Sequence, residues 1–531
     1  MTKNKRRFEL IPTALRCILC GAVTGTVIFF FKYAASRTEV LSRLLYEKGR
    51  ENPIIIPIIL GTVLLLAGLI YLLHKKAPEV RGGGIPRSEG ILRGILSCRP
   101  VVTLFGTALG SLIGFFCGLP LGSEGPAVLI GTSTGGIICG KNGESRASTR
   151  YIMTGGAAAG FAVATCAPLS AVLFALEEIH KRITPLLILA SSLSVLSATY
   201  VNKLLCGIFG LKAQLFELHN LSGFDIRVCA HLLLLGVIIA AAVAVFDSSI
   251  DHFTNLCTRL SKGFPKGMGI VLVFAVCAVL GFIFPEGLYS GHHIIEELVS
   301  GELHSAILVL ILGVRLIMML FMTGSGATGG IFIPTLAIGA LVSALASRLL
   351  LALGLPFEMY GTAVLLGMCA FIGGTLRAPL TSAVLFAELT GRFTDFFYVS
   401  LVVFTVIFVT DVLNLVPFYD KVLEQLEKAH HIGKERRVRY FSFTVTEDAF
   451  AVGKSVRDIL WPHASVVVGI RRSGEEIDGT DNDGEKIVRS GDRIVIRARY
   501  YDEALLIRQL TALAGKNCEV RVYDVDEVSK L

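Results

Sequence analysis

Gly122-Ser123-Glu124-Gly125-Pro126 interrupts a hydrophobic stretch and reads as the opening of a helix. Two other strings have the same form, Gly82-Gly83-Gly84-Ile85-Pro86 and Gly329-Gly330-Ile331-Phe332-Ile333-Pro334. Glycine lets backbone approach a ligand closely, and proline is tolerated in a helix's first turn, where N–H groups lack partners anyway. Each string therefore ends in a helix N-terminus, whose unpaired N–H groups and dipole favour an anion. Irregular backbone at membrane depth survives only when buried in protein or lining an aqueous cavity. Three such openings in one apolar chain point to a pathway for anions.

The surrounding composition supports a membrane setting. The chain has 531 residues, of which 53% are hydrophobic, and its mean hydropathy is +0.67. That is too apolar for a soluble protein and too long for a single anchor. Ile54–Leu73, Ile307–Phe321 and Tyr398–Val412 are almost uncharged runs of spanning character. Roughly ten to twelve hydrophobic stretches precede residue 415, several of them short or broken by glycine and proline. The basic start, Met1 to Arg7, runs into apolar Ala14–Phe31 without a small-residue cleavage site. It reads as a first membrane helix with a cytoplasmic beginning. The net charge of +8 fits cytoplasmic loops rich in lysine and arginine and requires no nucleic-acid partner. Twelve cysteines are scattered through the chain, mostly in apolar runs. Cys17 and Cys20 have no partner pair nearby, so buried thiols are expected rather than zinc or disulfide chemistry.

The membrane part repeats itself. Pro126 is followed five residues on by Gly131, and Pro334 by Gly339. Downstream, the Ala167–Glu178 segment is echoed by Ala378–Glu388, both beginning Ala-Pro-Leu. Pro126 and Pro334 lie 208 positions apart, Pro168 and Pro379 lie 211 apart. A chance match of apolar helices is the competing explanation, but order and spacing both recur. Two halves with broken helices at matching places are the pattern of inverted-repeat transporters, with the binding site between the halves. The halves span roughly 80–200 and 300–415.

Composition changes after Tyr419. Residues 421–439 are charged, and 433–439 reads as a basic linker closing a membrane domain of residues 1–432. From Tyr440 to the end at 531, short β-type runs (Tyr440–Val445, Ser465–Arg471, Arg493–Arg499) alternate with a polar turn stretch at Ser473–Gly484. A helical stretch follows at Asp502–Ala514. This tail is a small soluble α+β domain of about ninety residues, on the cytoplasmic side because of its basic linker.

Glu124 is the sharpest single position. An acidic first turn can simply cap a helix, but an ionisable residue in a membrane segment is costly and usually functional. A carboxylate there would occupy an anion site when charged and vacate it when protonated. Glu177 and Glu178 end the helix that begins at Pro168. A helix C-terminus and burial both disfavour their charge, so either could hold a proton. The alternative is a solvated helix end leading into His180-Lys181-Arg182. Paired carboxylates also suggest hydrolysis, but no zinc-protease, nucleophile-elbow or ligand-spaced histidine motif accompanies them. No enzyme activity, metal or cofactor is therefore expected. His292-His293 reads as a structural or solvent-facing pair in a glycine-flanked loop. Tyr419 could donate its hydroxyl to an anion without adding charge, although tyrosine is common at membrane interfaces.

Together these strings resemble the CLC family of chloride channels and proton/chloride exchangers, over about residues 10–425. Residues 82–86 match that family's G-S-G-I-P, 122–126 its G-R-E-G-P and 329–334 its G-G-I-F-A-P. The resemblance implies an all-α polytopic fold of two inverted repeats with broken helices, in a homodimer whose subunits each carry an anion pathway. It implies exchange of chloride for protons, with a passive channel of the same fold as the alternative. By position, Glu124 corresponds to the external gating glutamate and Glu178 to the internal proton glutamate. Backbone around Gly83, Gly84, Ile85, Ile331 and Phe332, with the Tyr419 hydroxyl, would hold the anion. Gly83 stands where the family has a serine hydroxyl, Ser123 where it has arginine, and Ile333 where it has alanine. The tail is similar to the TrkA-C (RCK C-terminal) module through Val452–Leu460, Val466–Gly474 and Ser490–Ile496, which implies a small-molecule ligand or a dimer-stabilising role. A bacterial plasma membrane location is expected.

Overall fold

The computed structural model describes residues 3–140, 146–218, 221–260, 267–431, 435–472, 484–515 and 517–524, with backbone alone at 3–10, 146 and 254–260. The first half contains α1 (Lys3–Glu51), α2 (Ile56–Lys76), α3 (Gly84–Leu92), α4 (Pro100–Phe116), α5 (Glu124–Cys139), α6 (Arg146–Thr165), α7 (Pro168–Phe174) and α8 (Pro185–Phe209). The second contains α9 (Cys229–Leu260), α10 (Met268–Ile283), α11 (His292–Ser300), α12 (Ser305–Ser325), α13 (Phe332–Ala352), α14 (Tyr360–Leu376), α15 (Pro379–Thr390), α16 (Phe396–Val412) and α17 (Phe418–His430). Among the described residues, eight helices are long and apolar enough to cross a membrane, and α4, α10 and α15 are shorter apolar helices.

Helix α1 outlasts the apolar stretch expected of it. Its later turns pack over a loop of each half: Tyr46 donates to the Cys117 carbonyl at 3.1 Å, and Ser42 meets the Tyr289 hydroxyl at 3.4 Å. Helices α5 and α6 pack closely through glycine. A Cβ added at Gly131 or Gly160 would collide with the backbone of Gly156 or Ala127. Helices α13 and α14 do the same through Gly339 against Phe371 and Gly367 against Ser343. Small residues allow this approach, and dispersion then supplies the attraction that lipid-exposed apolar surface cannot.

The halves are inverted with respect to one another. Helices α7 and α15 lie side by side, and the end of each reaches the beginning of the other. Glu388 accepts from the Leu169 and Ser170 backbone N–H groups, both at 2.8 Å, and from the Ser170 hydroxyl at 2.6 Å. Glu177 accepts from Leu380 N–H at 3.1 Å, Thr381 N–H at 2.7 Å and the Thr381 hydroxyl at 2.7 Å. Two helices that cap each other's N-termini from their C-terminal ends run antiparallel.

The tail is a four-stranded antiparallel sheet in the order β2-β3-β1-β4, made of β1 (Arg437–Thr444), β2 (Ser465–Arg471), β3 (Arg493–Tyr500) and β4 (Val520–Tyr523), with helix α18 (Glu503–Ala514). Phe441, Phe443, Ile494, Ile496, Leu510 and Leu513 form its core. Strand β1 begins at Arg437, three residues earlier than the sequence suggests, so part of the expected basic linker is already sheet. Much of the charged segment before it is helix α17. Residues 432–434 and 473–483, hence most of the expected turn stretch, lie outside the described residues. His292 and His293 belong to the first turn of α11 rather than to a loop, with Ser290 Oγ 2.9 Å from His292 Nδ1.

Candidate functional site

All three glycine strings start helices, with proline third in each: α3 at Gly84, α5 at Glu124 and α13 at Phe332. Tertiary structure brings the three starts together. Gly122 N–H donates to the Gly330 carbonyl at 2.7 Å and Gly330 N–H returns to Gly122 at 2.9 Å, a single antiparallel bridge between the two halves. Gly82 N–H donates to the Gly326 carbonyl at 3.0 Å, tying the first string to the lead-in of the third. At Gly84 a Cβ would overlap the Gly125 carbonyl, and at Gly125 one would lie 2.7 Å from Gly330 Cα. Glycine is required at these positions because three backbones meet there.

Gly83 differs from its neighbours. Its backbone is ordinary (φ −70°, ψ 130°). A Cβ there would meet the Gly329 carbonyl at 3.7 Å and the Ile331 side chain at 3.8 Å, normal contact distances. Ile331 is the N-cap of α13 and Phe332 its first residue. The Phe332 ring sits edge-on to Phe161 at 5.1 Å, and Phe161 stacks on Phe174 at 4.3 Å. The Ile331–Phe332 backbone is thereby fixed against α6 and α7. Ile333 is fully buried, so its role is packing.

Glu124 is fully buried in the first turn of α5. One carboxylate oxygen accepts from the Ser123 hydroxyl at 3.0 Å. The other has no hydrogen-bond partner among the described residues and lies against Gly122. Tyr419, in the first turn of α17, is buried rather than interfacial. It belongs to the same buried core as Ile85, Ile331 and Phe332, and the charges of Glu178, Glu124 and Glu89 act on its phenol.

The segment after α7 is not a regular helix end. Ala175–His180 forms a π-helical turn, closed by Lys181 in the left-handed region at φ 50°. Such turns are rare and frequent at functional sites. This one divides the two glutamates: Glu177 reaches α15, and Glu178 is fully buried with neither oxygen hydrogen-bonded among the described residues. Around Glu178 lie the charges of Glu89, Lys181, Asp420 and Arg93.

Glu89 was not singled out from sequence. It is fully buried on α3, three residues past Pro86, and its Oε1 is 3.0 Å from Arg93 Nη1. Arg93 also reaches Asp420 at 3.9 Å, and Asp420 pairs with Lys181. An intramembrane carboxylate on the helix of the first glycine string was the available signal. For Glu388 it was position: Glu177 and Glu388 each stand nine residues after the proline of their repeat.

Comparison with known proteins agrees with this geometry. Residues 63–411 match the voltage gated chloride channel family. The chain is 30% identical over 403 residues to the H(+)/Cl(−) exchange transporter ClcA of Salmonella paratyphi B, covering 73% of this chain and 84% of that one. The chain belongs to the CLC family. Among solved structures, a slow cyanobacterial Cl−/H+ antiporter superposes with a TM-score of 0.71 at 24% identity, covering 78% of this chain and 98% of that one. A eukaryotic CLC transporter superposes with 0.65 at 22% identity, covering 79% and 74%. These two likenesses are of fold. CLC membership covers the meeting point of the three helix starts and the segment that carries Glu177 and Glu178, whereas Tyr419 and the sheet domain follow the matched residues.

Proposed function

We propose that this protein is a secondary active transporter that exchanges chloride, or a similar small anion, for protons across a membrane. The observation that carries the proposal is the meeting of three helix starts, one of which holds the fully buried Glu124 with one carboxylate oxygen unpaired among the described residues. The N–H groups and dipoles of those starts provide anion stabilisation without a permanent positive charge. Gly83, Gly84, Ile85, Ile331, Phe332 and the Tyr419 hydroxyl are the proposed anion contacts. Glu124 competes for the same place when ionised and retreats when it takes up a proton. Glu178 holds the proton on the inner limb. The named exchange transporter among its relatives supports this reading, which is one of transport, not of enzyme catalysis.

A passive anion channel of the same fold is the alternative. Dissipative flow has no use for a second buried carboxylate, and Glu178 is fully buried with both oxygens unsatisfied among the described residues. Purified protein in liposomes, with chloride efflux and external pH recorded together, separates the two. An exchanger drives protons uphill when chloride runs down its gradient, whereas a channel moves no protons.

The assembly reading is a homodimer in a bacterial plasma membrane, with the N-terminus and the sheet domain in the cytoplasm. Leu169, Leu196, Leu380 and Phe404 are exposed on the neighbouring helices α7, α8, α15 and α16, apolar surface on which a second copy can seat. The proposed division is a membrane domain of residues 1–432 and a TrkA-C-like tail that binds a small molecule or steadies the dimer.

A further inference from the structure

We propose that Glu177 is a positioning residue for proton transfer: by capping α15 it fixes the π-helical turn that directs Glu178 into the protein. The inference rests on the assignment of Glu178 as the inner proton carrier.

The cap is complete. Helix α15 starts at Pro379, which has no N–H, and the next two donors, Leu380 and Thr381, both bond to the Glu177 carboxylate. The Thr381 hydroxyl adds a third bond, and Ser382 N–H returns to Ala378. A carboxylate at a helix N-terminus is stabilised both by these bonds and by the dipole. Glu177 is therefore held at a fixed place on the first turn of a helix from the other repeat.

Its symmetric mate shows what this contact does beyond capping. Glu388 makes the same three kinds of bond to α7, through Leu169, Ser170 and the Ser170 hydroxyl. After Glu388, however, the chain carries Leu389 and ends as an ordinary α-helix at Thr390. After Glu177 comes Glu178, and only here does the helix widen into a π-turn. Both halves thus carry the cap, and the first alone has a second carboxylate next to it, Glu178 where the second has Leu389.

The π-turn has three further anchors. Arg93 Nε donates to the Ile179 carbonyl at 3.1 Å, Thr154 meets His180 Nε2 at 2.7 Å, and Arg182 N–H returns to Leu176 at 3.1 Å. These lie after Glu178 or close the turn on itself. Among the hydrogen bonds of the described residues, Glu177 ties the turn to α15. Without it, the backbone at Glu178 can rotate and carry the carboxyl group out of its buried position.

The test compares Glu177→Ala, Glu177→Gln, Thr381→Val, Glu388→Ala and Glu178→Gln in liposomes, with proton and chloride movement recorded together. In Glu177→Ala the ratio of protons to chloride is expected to fall at least threefold while chloride flux persists. Glu177→Gln, whose amide oxygen still accepts, retains more than half of the wild-type ratio, and Thr381→Val lowers it less than Glu177→Ala. Glu388→Ala removes an equal cap and keeps the wild-type ratio, though it melts earlier. A wild-type ratio in Glu177→Ala, or an equal fall in Glu388→Ala, overturns the positioning role. Should Glu177→Ala fail to fold, a Thr381→Val ratio equal to wild type overturns it instead. Glu178→Gln separates the two layers: if it still couples protons, the assignment of Glu178 fails and this inference with it. Coupling lost in Glu178→Gln but intact in Glu177→Ala rejects the positioning role alone.

Discussion

Arg150 of α6 is joined to Leu460 of the tail by a hydrogen bond of 3.1 Å from guanidinium to carbonyl. The same guanidinium donates to the Leu92 carbonyl at 2.7 Å, at the end of the helix that starts beside Gly83. Tyr151 adds a bond to the Asp458 carbonyl at 3.2 Å, and Gln509 of α18 donates to Gly94 at 3.0 Å. The sheet domain is therefore clasped to the C-terminal end of α3, the helix that also carries Glu89.

Removing this clasp should free the tail without stopping transport, because every proposed pathway residue precedes Asp420. Hydrogen bonds to charged groups contribute about 1.5–3 kcal/mol. Arg150→Gln is expected to raise protease cleavage at residues 435–436, while a chain ending there still carries anions with an unchanged proton ratio. Equal insertion of full-length and shortened protein, followed by flux measurement, checks this. Loss of flux from well-folded shortened protein would make the tail part of the transport machinery. Any ligand of the tail should then alter rate by about five- to a hundredfold, the range of typical couplings, and only in the full-length chain.

The contact should also loosen in acid. Burial, with the guanidinium groups of Arg93, Arg436 and Arg150 nearby and Asp420 opposing, lowers His463 from 6.5 to about 4. The undocked or unfolded tail then binds a proton that the docked tail refuses, so stability rises with pH between about 4 and 6.5. Protease sensitivity at residues 435–436 should increase as pH falls through that window, and His463→Gln should flatten the change. An acid response that survives in His463→Gln would assign it to another group.

Glu124→Gln should abolish proton coupling and leave anion flux. The amide resembles the protonated side chain in shape and cannot release a proton. Its carbonyl can still accept from the Ser123 hydroxyl, so the start of α5 should be unchanged. Continued uphill proton transport in this variant would remove Glu124 from the role of gate.

Gly83→Ser should fold and change anion preference. The site has room for a Cβ at ordinary contact distance, and the new hydroxyl would add a donor beside the proposed anion contacts. A bond to a charged partner is worth about 1.5–3 kcal/mol, but only the difference between anions alters selectivity, so a shift in the chloride-to-nitrate ratio of several-fold is expected. An unchanged ratio would exclude Gly83 from selectivity. Gly84→Ala is the contrasting variant, since its Cβ would overlap the Gly125 carbonyl, and it should lower the yield of folded protein sharply.

The helix openings at 84, 124 and 332 were legible because glycine and proline act on their own backbone. Strand Ser465–Arg471 and the helix capped by Asp502 were legible for the same local reason, through alternation and side-chain capping. The repeat could be read from spacing, and with it the proline positions from which α7 and α15 begin. What the local pattern did not contain is which residue faces which. Gly122 and Gly330 are distant in sequence, and only the folded chain pairs them. Glu177 and Glu178 are adjacent acids with the same chemistry, and the sequence left either able to hold a proton. The π-turn and the start of α15 send one to a cap and bury the other, because a backbone donor pair lies on one side and a closed interior on the other. Local residue chemistry determined where helices could begin. The meeting of two inverted halves decided which carboxylates lost their partners.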